Sequence, residues 1–331
     1  MVEPRKIIIL LATYNGAKFL SDQIQSIQGQ TVSNWTLLVR DDGSKDNTRG
    51  VLETFAAQDK RIRCIADARE CLGAVKNFGE LMRIACEEEA DYVFFSDQDD
   101  VWACNKIADQ LKNLTEMESR YGQMTPSLAY SDLEVVSQQL ERIHPSFMAY
   151  QGLAHEPRDP LRVLLTQNFI TGCATAINRA LLNLAVPLPS EVIMHDWWLA
   201  LCAAACGRIT YQPHTLVRYR QHGKNQIGAE GLVTMMNPLS AASGRRIARS
   251  EYYLLGSIRQ SALLSERIVS REVPCPGETL RLLKRFAACA QQGCLRRLLT
   301  VTQLGLRRQG VLRQLLLYWR LIVSARRAVT D

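Results

Sequence analysis

The order in which short apolar runs and amphipathic stretches alternate over the first 130 residues constrains this chain more than any other feature. Ile7–Ala12, Thr36–Arg40, Ile62–Ala66, Tyr92–Ser96 and Leu128–Tyr130 are short and apolar, as buried strands are. Between them, Phe19–Ile27, Thr48–Ala57, Val75–Ala85 and Lys106–Met117 carry apolar residues at three- and four-residue spacing, the period of a helix packed on one face. Strand and helix in alternation predict an α/β fold with a mostly parallel, Rossmann-like sheet covered by helices on both faces. Ligands of such sheets bind beyond the carboxyl ends of the strands. The first, second and fourth strands each run straight into polar residues there.

Downstream the pattern loosens. Residues 133–166 are punctuated by Pro145, Pro157 and Pro160. Asn168–Ile177 then reads as a strand returning to the sheet, followed by a helix over Asn178–Leu184 and another from His195 to Ala205. Ile209–Tyr211 and Leu216–Tyr219 are strand-like, and beyond Gly244 the chain is helical and Arg-rich. The expected division is one domain over 1–235, in two halves (1–130 and 131–235), and a helical basic region over 236–331.

Charge separates the same two parts. Residues 1–244 hold 23 Lys and Arg against 28 Asp and Glu, net −5, whereas 245–331 hold 17 against 5, net +12. A basic tail suits nucleic acid or an anionic membrane. No zinc finger, stacking platform or helix-turn-helix signal accompanies it, so nucleic acid is set aside and peripheral contact with the inner membrane is expected. The rival is a helical subdomain packed on the catalytic domain or on a second copy in a homo-oligomer. Ile7–Ala12 breaks at Thr13 too early for an export segment, and no apolar run is long enough to span a bilayer. A cytoplasmic location is expected. The ten cysteines are scattered without a CxxC pair, the pattern of buried free thiols.

Four polar clusters carry the chemistry. Thr13, Tyr14 and Asn15 follow the first strand, and Asp41 and Asp42 the second. A carboxylate at a strand tip accepts from a pyrimidine N–H or a ribose hydroxyl, and a tyrosine packs against a base. The same letters would also serve a plain turn and helix cap. Lys76 and Asn77, just after Gly73, are further nucleotide contacts, and a plain helix start is nearly as good a reading. Asp97, Asp99 and Asp100 crowd the end of the fourth strand, where like charges need a compensating cation. Mg²⁺ or Mn²⁺ carried by a diphosphate is the simplest one, with Asp97 and Asp99 as ligands and Asp100 capping the next helix. His222 is a third candidate ligand, and Arg218, Arg220 and Lys224 are candidates for diphosphate oxygens. Asp196 is either a first-turn acid or a general base facing an acceptor hydroxyl. Trp197 and Trp198 offer faces for sugar rings, unless one of them is core, and Gly172 and Cys173 are candidates for a floor beneath the acceptor. Neither GxGxxG nor GxxxxGK[ST] occurs, which argues against dinucleotide and P-loop enzymes.

The segments TYNG (13–16), DDGS (41–44), SDQDDVW (96–102), TGC (171–173), HDWW (195–198) and YRQHG (219–223), in this order, resemble the family 2 glycosyltransferases. More narrowly, they resemble the rhamnosyltransferase-like branch of bacterial O-antigen and capsule assembly. The resemblance covers residues 5–230 and implies a GT-A fold and an inverting transfer from a nucleotide-diphospho-sugar. It favours dTDP-rhamnose, with a UDP-sugar as the alternative, and a lipid-linked saccharide as acceptor. It further implies that Asp42 meets the nucleotide base, that Asp97 and Asp99 meet the metal-diphosphate region, that Asp196 meets the acceptor hydroxyl, and that His222 meets the metal. The rivals are a sugar-nucleotide nucleotidyltransferase, which would release pyrophosphate, and a non-catalytic carbohydrate-binding protein of the same fold.

Overall fold

The computed structural model describes residues 5–67, 69–222 and 243–323, with the backbone alone for 243–250. Its strands are β1 (Ile7–Thr13), β2 (Thr36–Asp41), β3 (Ile62–Cys64), β4 (Tyr92–Ser96), β5 (Val101–Trp102), β6 (Ser127–Val136), β7 (Arg142–His144), β8 (Thr175–Asn178) and β9 (Arg208–Arg220). Its helices are α1 (Leu20–Gln28), α2 (Thr48–Gln58), α3 (Gly73–Glu87), α4 (Lys106–Tyr121), α5 (Phe147–Gln151), α6 (Pro160–Leu164), α7 (Arg179–Ala185), α8 (His195–Cys206), α9 (Ser243–Ser270), α10 (Gly277–Ala287), α11 (Cys294–Gln303) and α12 (Val311–Val323). The chain forms two compact units. One comprises Met1–Phe147, Ile170–Ser190 and Gly207–Ala229; the other comprises Met148–Phe169, Glu191–Cys206 and Glu230–Asp331. The expected boundary at 235/236 lies outside the described residues. Upstream of it, 148–169 and 191–206, read with the rest of 131–235 from the sequence, cluster with the C-terminal helices.

The first unit is built on a nine-stranded sheet in the order β3-β2-β1-β4-β8-β6-β9-β5, with β7 beside β6. Strands β3, β2, β1 and β4 are parallel, as expected. Beyond β4 the sheet is mixed, because β8 runs antiparallel to both β4 and β6, while β9 is parallel to β6 and antiparallel to β5. Ile8–Leu11, Leu37, Leu38 and Val93–Phe95 are buried on both faces of the sheet, which is why these strands read as continuous apolar runs. Register sets the site: Thr13 lies opposite Asp41 and Leu11 opposite Ser96, so the polar residues that follow all emerge at one edge.

Three expectations need correction. Asn168–Ile177 is not one strand, since Gly172–Ala174 forms a 3-10 turn and only Thr175–Asn178 pairs; Thr175 Oγ1 donates to Gly172 O at 2.7 Å and closes the turn. The two strand-like segments after Gly207 are parts of one long β9, whose register against β6 shifts around Asp132. A Cβ on Gly207 would lie 1.8 Å from Pro126 O, so only glycine lets β9 enter beside β6 here. The cysteines are free but not uniformly buried: Cys173, Cys202 and Cys289 are buried, whereas Cys64, Cys71, Cys104 and Cys294 are exposed.

The second unit is helical. α8 is buried nearly all round, from His195 to Ala205, which explains its uninterrupted apolar sequence. α9 packs on α10 through Ser261 Oγ, which donates to Leu283 O at 2.9 Å. Ile193 N–H donates to Gln260 Oε1 at 2.9 Å, tying the segment before α8 to α9. Among the described residues, no helix is long and apolar enough to cross a membrane.

Candidate active site

At the β1 and β2 tips the polar residues first hold one another. Thr13 Oγ1 donates to Asp41 Oδ1 at 3.0 Å, and Ser44 N–H donates to Asp41 Oδ2 at 2.9 Å. Asn15 adopts φ 49°, its N–H donates to Ser44 Oγ at 2.8 Å, and its Oδ1 accepts from Lys45 N–H at 2.8 Å. Burial pushes the Asp41 carboxyl up, but hydrogen bonds from Ser44, Arg49 and Thr13 outweigh it and hold it below the usual carboxylate range. The Tyr14 ring, 47% exposed, is left as an open aromatic face beside these groups.

Asp42 is buried. Its Oδ1 accepts Leu72 N–H at 2.9 Å and Arg40 Nη1 at 3.1 Å, and its Oδ2 accepts Gly73 N–H at 2.8 Å. It thus fastens the start of α3 to the β2 tip. Arg40, fully buried, also reaches Asp67 at 3.0 Å and Asn77 Oδ1 at 3.2 Å. Asn77, expected as a nucleotide contact, is buried, and its Nδ2 donates back to Arg40 O at 3.2 Å. Lys76, on the other face of the same turn, is exposed.

The acidic turn after β4 is locked to β1 by Gln98, whose amide donates to Tyr14 O at 3.1 Å and accepts Tyr14 N–H at 2.9 Å. Gly16 makes room for it, since a Cβ there would lie 2.2 Å from Gln98 Oε1. Asp99 Oδ2 lies 2.8 Å from His222 Nε2, and the imidazole stacks on Phe19 with centroids 5.0 Å apart. Asp97 groups instead with Asp100 and Cys173, the three ligand atoms lying within 4.8 Å of one another. The expected ligand trio of Asp97, Asp99 and His222 is thus met as two adjoining sets. Asp100 does not cap a helix, because α4 starts at Lys106 after Asn105. It is fully buried, and its Oδ1 accepts Arg220 N–H at 3.1 Å. Burial, reinforced by Asp99 and Asp97, raises its pKa well above the usual carboxylate value. Cys173, expected beneath the acceptor, is buried with its thiol beside the acidic turn, and burial together with Asp100 and Asp97 disfavours its thiolate. Gly172 is likewise buried beneath.

Arg220 also departs from expectation. Only 2% exposed, it donates from Nε to Asp99 O at 2.8 Å, pairs with Asp22 at 2.8 Å, bonds Gln138 O and covers the Phe19 ring at 4.6 Å. It builds the acidic turn and does not present itself to a phosphate. Arg218 is held by Glu134 and Leu140 O. Lys224 and Gly223 lie outside the described residues.

The donor set fits a divalent cation: hard carboxylate oxygens gather at one strand end, and one imidazole stands beside them. Sequence reasoning missed Asp22, Gln98 and Lys106. Lys106 is fully buried, donates to Gln110 Oε1 at 2.7 Å and lies 4.2 Å over the Trp102 ring. Burial lowers its pKa from 10.5 to about 7, against the opposing pull of Cys173 and Asp100. Between these values the unfolded chain holds more protons than the folded one, so this residue's contribution to stability rises with pH. Lys106→Met is expected to stabilise the protein by a few kcal/mol at about pH 6 and by much less at about pH 10. Denaturant titrations at the two pH values check it.

The HDWW segment belongs to the second unit. Asp196 Oδ1 accepts Trp197 N–H at 2.6 Å and Asn168 Nδ2 at 3.3 Å in the first turn of α8. Burial lowers the His195 pKa to about 3, so its imidazole is neutral. Trp197 and Trp198 correct the expectation of open sugar-binding faces, being 5% and 0% exposed. Trp197 Nε1 donates to Leu164 O at 2.6 Å, and the Arg267 guanidinium lies 5.0 Å over Trp198.

Comparison with known proteins bears on this arrangement. The model of the family described as glycosyl transferase family 2 matches residues 8–183. The dTDP-rhamnosyl transferase RfbG of Shigella flexneri is 27% identical over 235 residues, 66% of this chain and 74% of its own. The UDP-Glc:alpha-D-GlcNAc-diphosphoundecaprenol beta-1,3-glucosyltransferase WfgD of Escherichia coli is 29% identical over 176 residues, 53% of this chain and 61% of its own. The crystal structure of S. aureus TarS in complex with UDP shares the fold at TM-score 0.53 and 14% identity, covering 86% of this chain and 71% of that one.

Proposed function

Because the chain belongs to glycosyl transferase family 2, we propose that it moves a sugar from a nucleotide-diphosphate donor to a hydroxyl of a lipid-linked saccharide, with inversion, in surface polysaccharide assembly. One observation carries this reading above the others. The register of β1, β2 and β4 brings the Tyr14 face, the Asp41–Asp42 turn and the Asp97–Asp100 turn to one edge of the sheet. A nucleotide lying across that edge would set its base against Tyr14 and its diphosphate toward the carboxylates. Asp97 and Asp99, with Asp100 and His222 beside them, would hold Mg²⁺ or Mn²⁺. Such an ion neutralises charge on a departing nucleoside diphosphate. Asp42 acts by anchoring the loop at Leu72 and Gly73, and Arg220 by keeping Asp99 and Asp100 in place. Asp196 is proposed to take the acceptor proton.

The likeness to RfbG, which its description calls a dTDP-rhamnosyl transferase, favours rhamnose, and the likeness to WfgD supports a diphospholipid-linked acceptor. A panel of nucleotide sugars, screened by thermal stabilisation with and without Mn²⁺, tests the donor. dTDP-rhamnose is expected to raise the melting temperature only with the ion present. If no nucleotide sugar stabilises the protein and none is turned over, the reading fails. Asp99→Ala is expected to weaken Mn²⁺-dependent donor binding at least about tenfold, a loss of a charge-assisted contact worth roughly 1.5–3 kcal/mol. Donor titration by calorimetry measures it.

A further inference from the structure

We propose that the outer face of α12 docks on an anionic lipid bilayer. This goes beyond the transfer reaction and stands on a different part of the molecule. Leu312, Leu315, Leu316, Trp319, Ile322 and Val323 are 43–57% exposed, and they recur at steps of three or four along one side of the helix. Val311, at the helix start, is 79% exposed, and no exposed residue of α12 is polar. The inward side carries the cations. Arg320 is only 6% exposed and lies between the buried Leu317 and Leu321. Arg313 donates to Gly152 O at 2.7 Å and to Gln151 O, and Arg308, just before the helix, donates to Thr166 O at 3.0 Å.

The helix thus keeps Arg313 on backbone carbonyls and Arg320 buried, while its leucines stand in water outside. That is the reverse of a surface helix in a soluble protein. Burying the apolar side removes that surface from water and so favours association. A contiguous face of this kind marks an interaction surface.

Charge selects the occupant. Residues 279–331 contain eleven Lys and Arg against one acid, Asp331. Arg281, Lys284, Arg285 and Arg296 of α10 and α11, in the same unit, are exposed. A second copy would bring the same excess of positive charge to the contact, whereas acidic headgroups complement it. Trp319 supplies the amphipathic ring that favours the headgroup level. With 13 residues, α12 is about 20 Å long at 1.5 Å per residue, so it lies in the interface and does not cross it.

Flotation of the full chain with vesicles tests the proposal. At low salt it is expected to float with phosphatidylglycerol-containing vesicles and not with pure phosphatidylcholine. Leu316→Ser combined with Trp319→Ser is expected to reduce flotation at least tenfold at unchanged melting temperature. Lys284→Glu combined with Arg285→Glu is expected to shift binding to lower salt. The proposal is overturned if the unmodified chain stays unbound at low salt, or if the Leu316/Trp319 variant floats as well as the original. It is also overturned if light scattering shows a dimer that the same variant dissociates, because a second copy then covers the face.

Discussion

Asp196→Asn is expected to lower the rate of sugar transfer about a hundredfold to ten-thousandfold while leaving nucleotide-sugar binding within twofold. That is the range in which a positioned general base contributes to proton transfer. The substitution is close to isosteric and keeps an acceptor oxygen where Oδ1 stands. Asp196 Oδ1 accepts Trp197 N–H at 2.6 Å and Asn168 Nδ2 at 3.3 Å, and an asparagine oxygen in the same place accepts both. The first turn of α8 is therefore retained, and what is lost is a carboxylate able to carry a proton. Single-turnover transfer, with donor affinity and melting temperature measured in parallel, separates loss of chemistry from loss of fold. Undiminished transfer would remove Asp196 from the mechanism. A fall in melting temperature equal to that of Asp196→Ala would reduce it to a structural residue.

The second large effect is on stability. Arg40→Met is expected to destabilise the first unit by about 3–5 kcal/mol, the cost of removing one partner from a buried ion pair. Arg40 is fully buried and joins Asp42, Asp67 and Asn77 beneath the tip of β2. Methionine fills much of the stem volume but leaves Asp42, 4% exposed, with only the Leu72 and Gly73 amides. The midpoint of chemical denaturation measures the loss. Donor affinity should fall with it, because the loop before α3 loses its anchor. A midpoint unchanged to within about 1 kcal/mol would show that the pair is not coupled to folding.

Most of the first unit's framework was legible because apolar period is a local property. β4 and the start of α4 fall where the pattern places them, and the polar tips of β1, β2 and β4 share an edge because parallel strands carry their ends to one side. β5 and β7, of two and three residues, are too short to show a period. The site was legible by residue type and much less by role. Asn77, Arg220 and Trp198 have the chemistry of ligand contacts, and in the structure they are buried supports. Spacing cannot tell the two apart, since a polar side chain beside a strand tip serves equally well facing inward or outward.

The alternating architecture and the crowding of carboxylates after β4 can be read along the chain, because each depends on residues close together in it, and the family can be read from the order of its short motifs. It takes packing to place Asp97 with Asp100 and Cys173, to bring Arg220 across to Asp22, and to turn the arginines of α12 inward. Those outcomes depend on residues far apart in sequence. Which groups must be desolvated together, and which partners satisfy them, is settled when the elements pack.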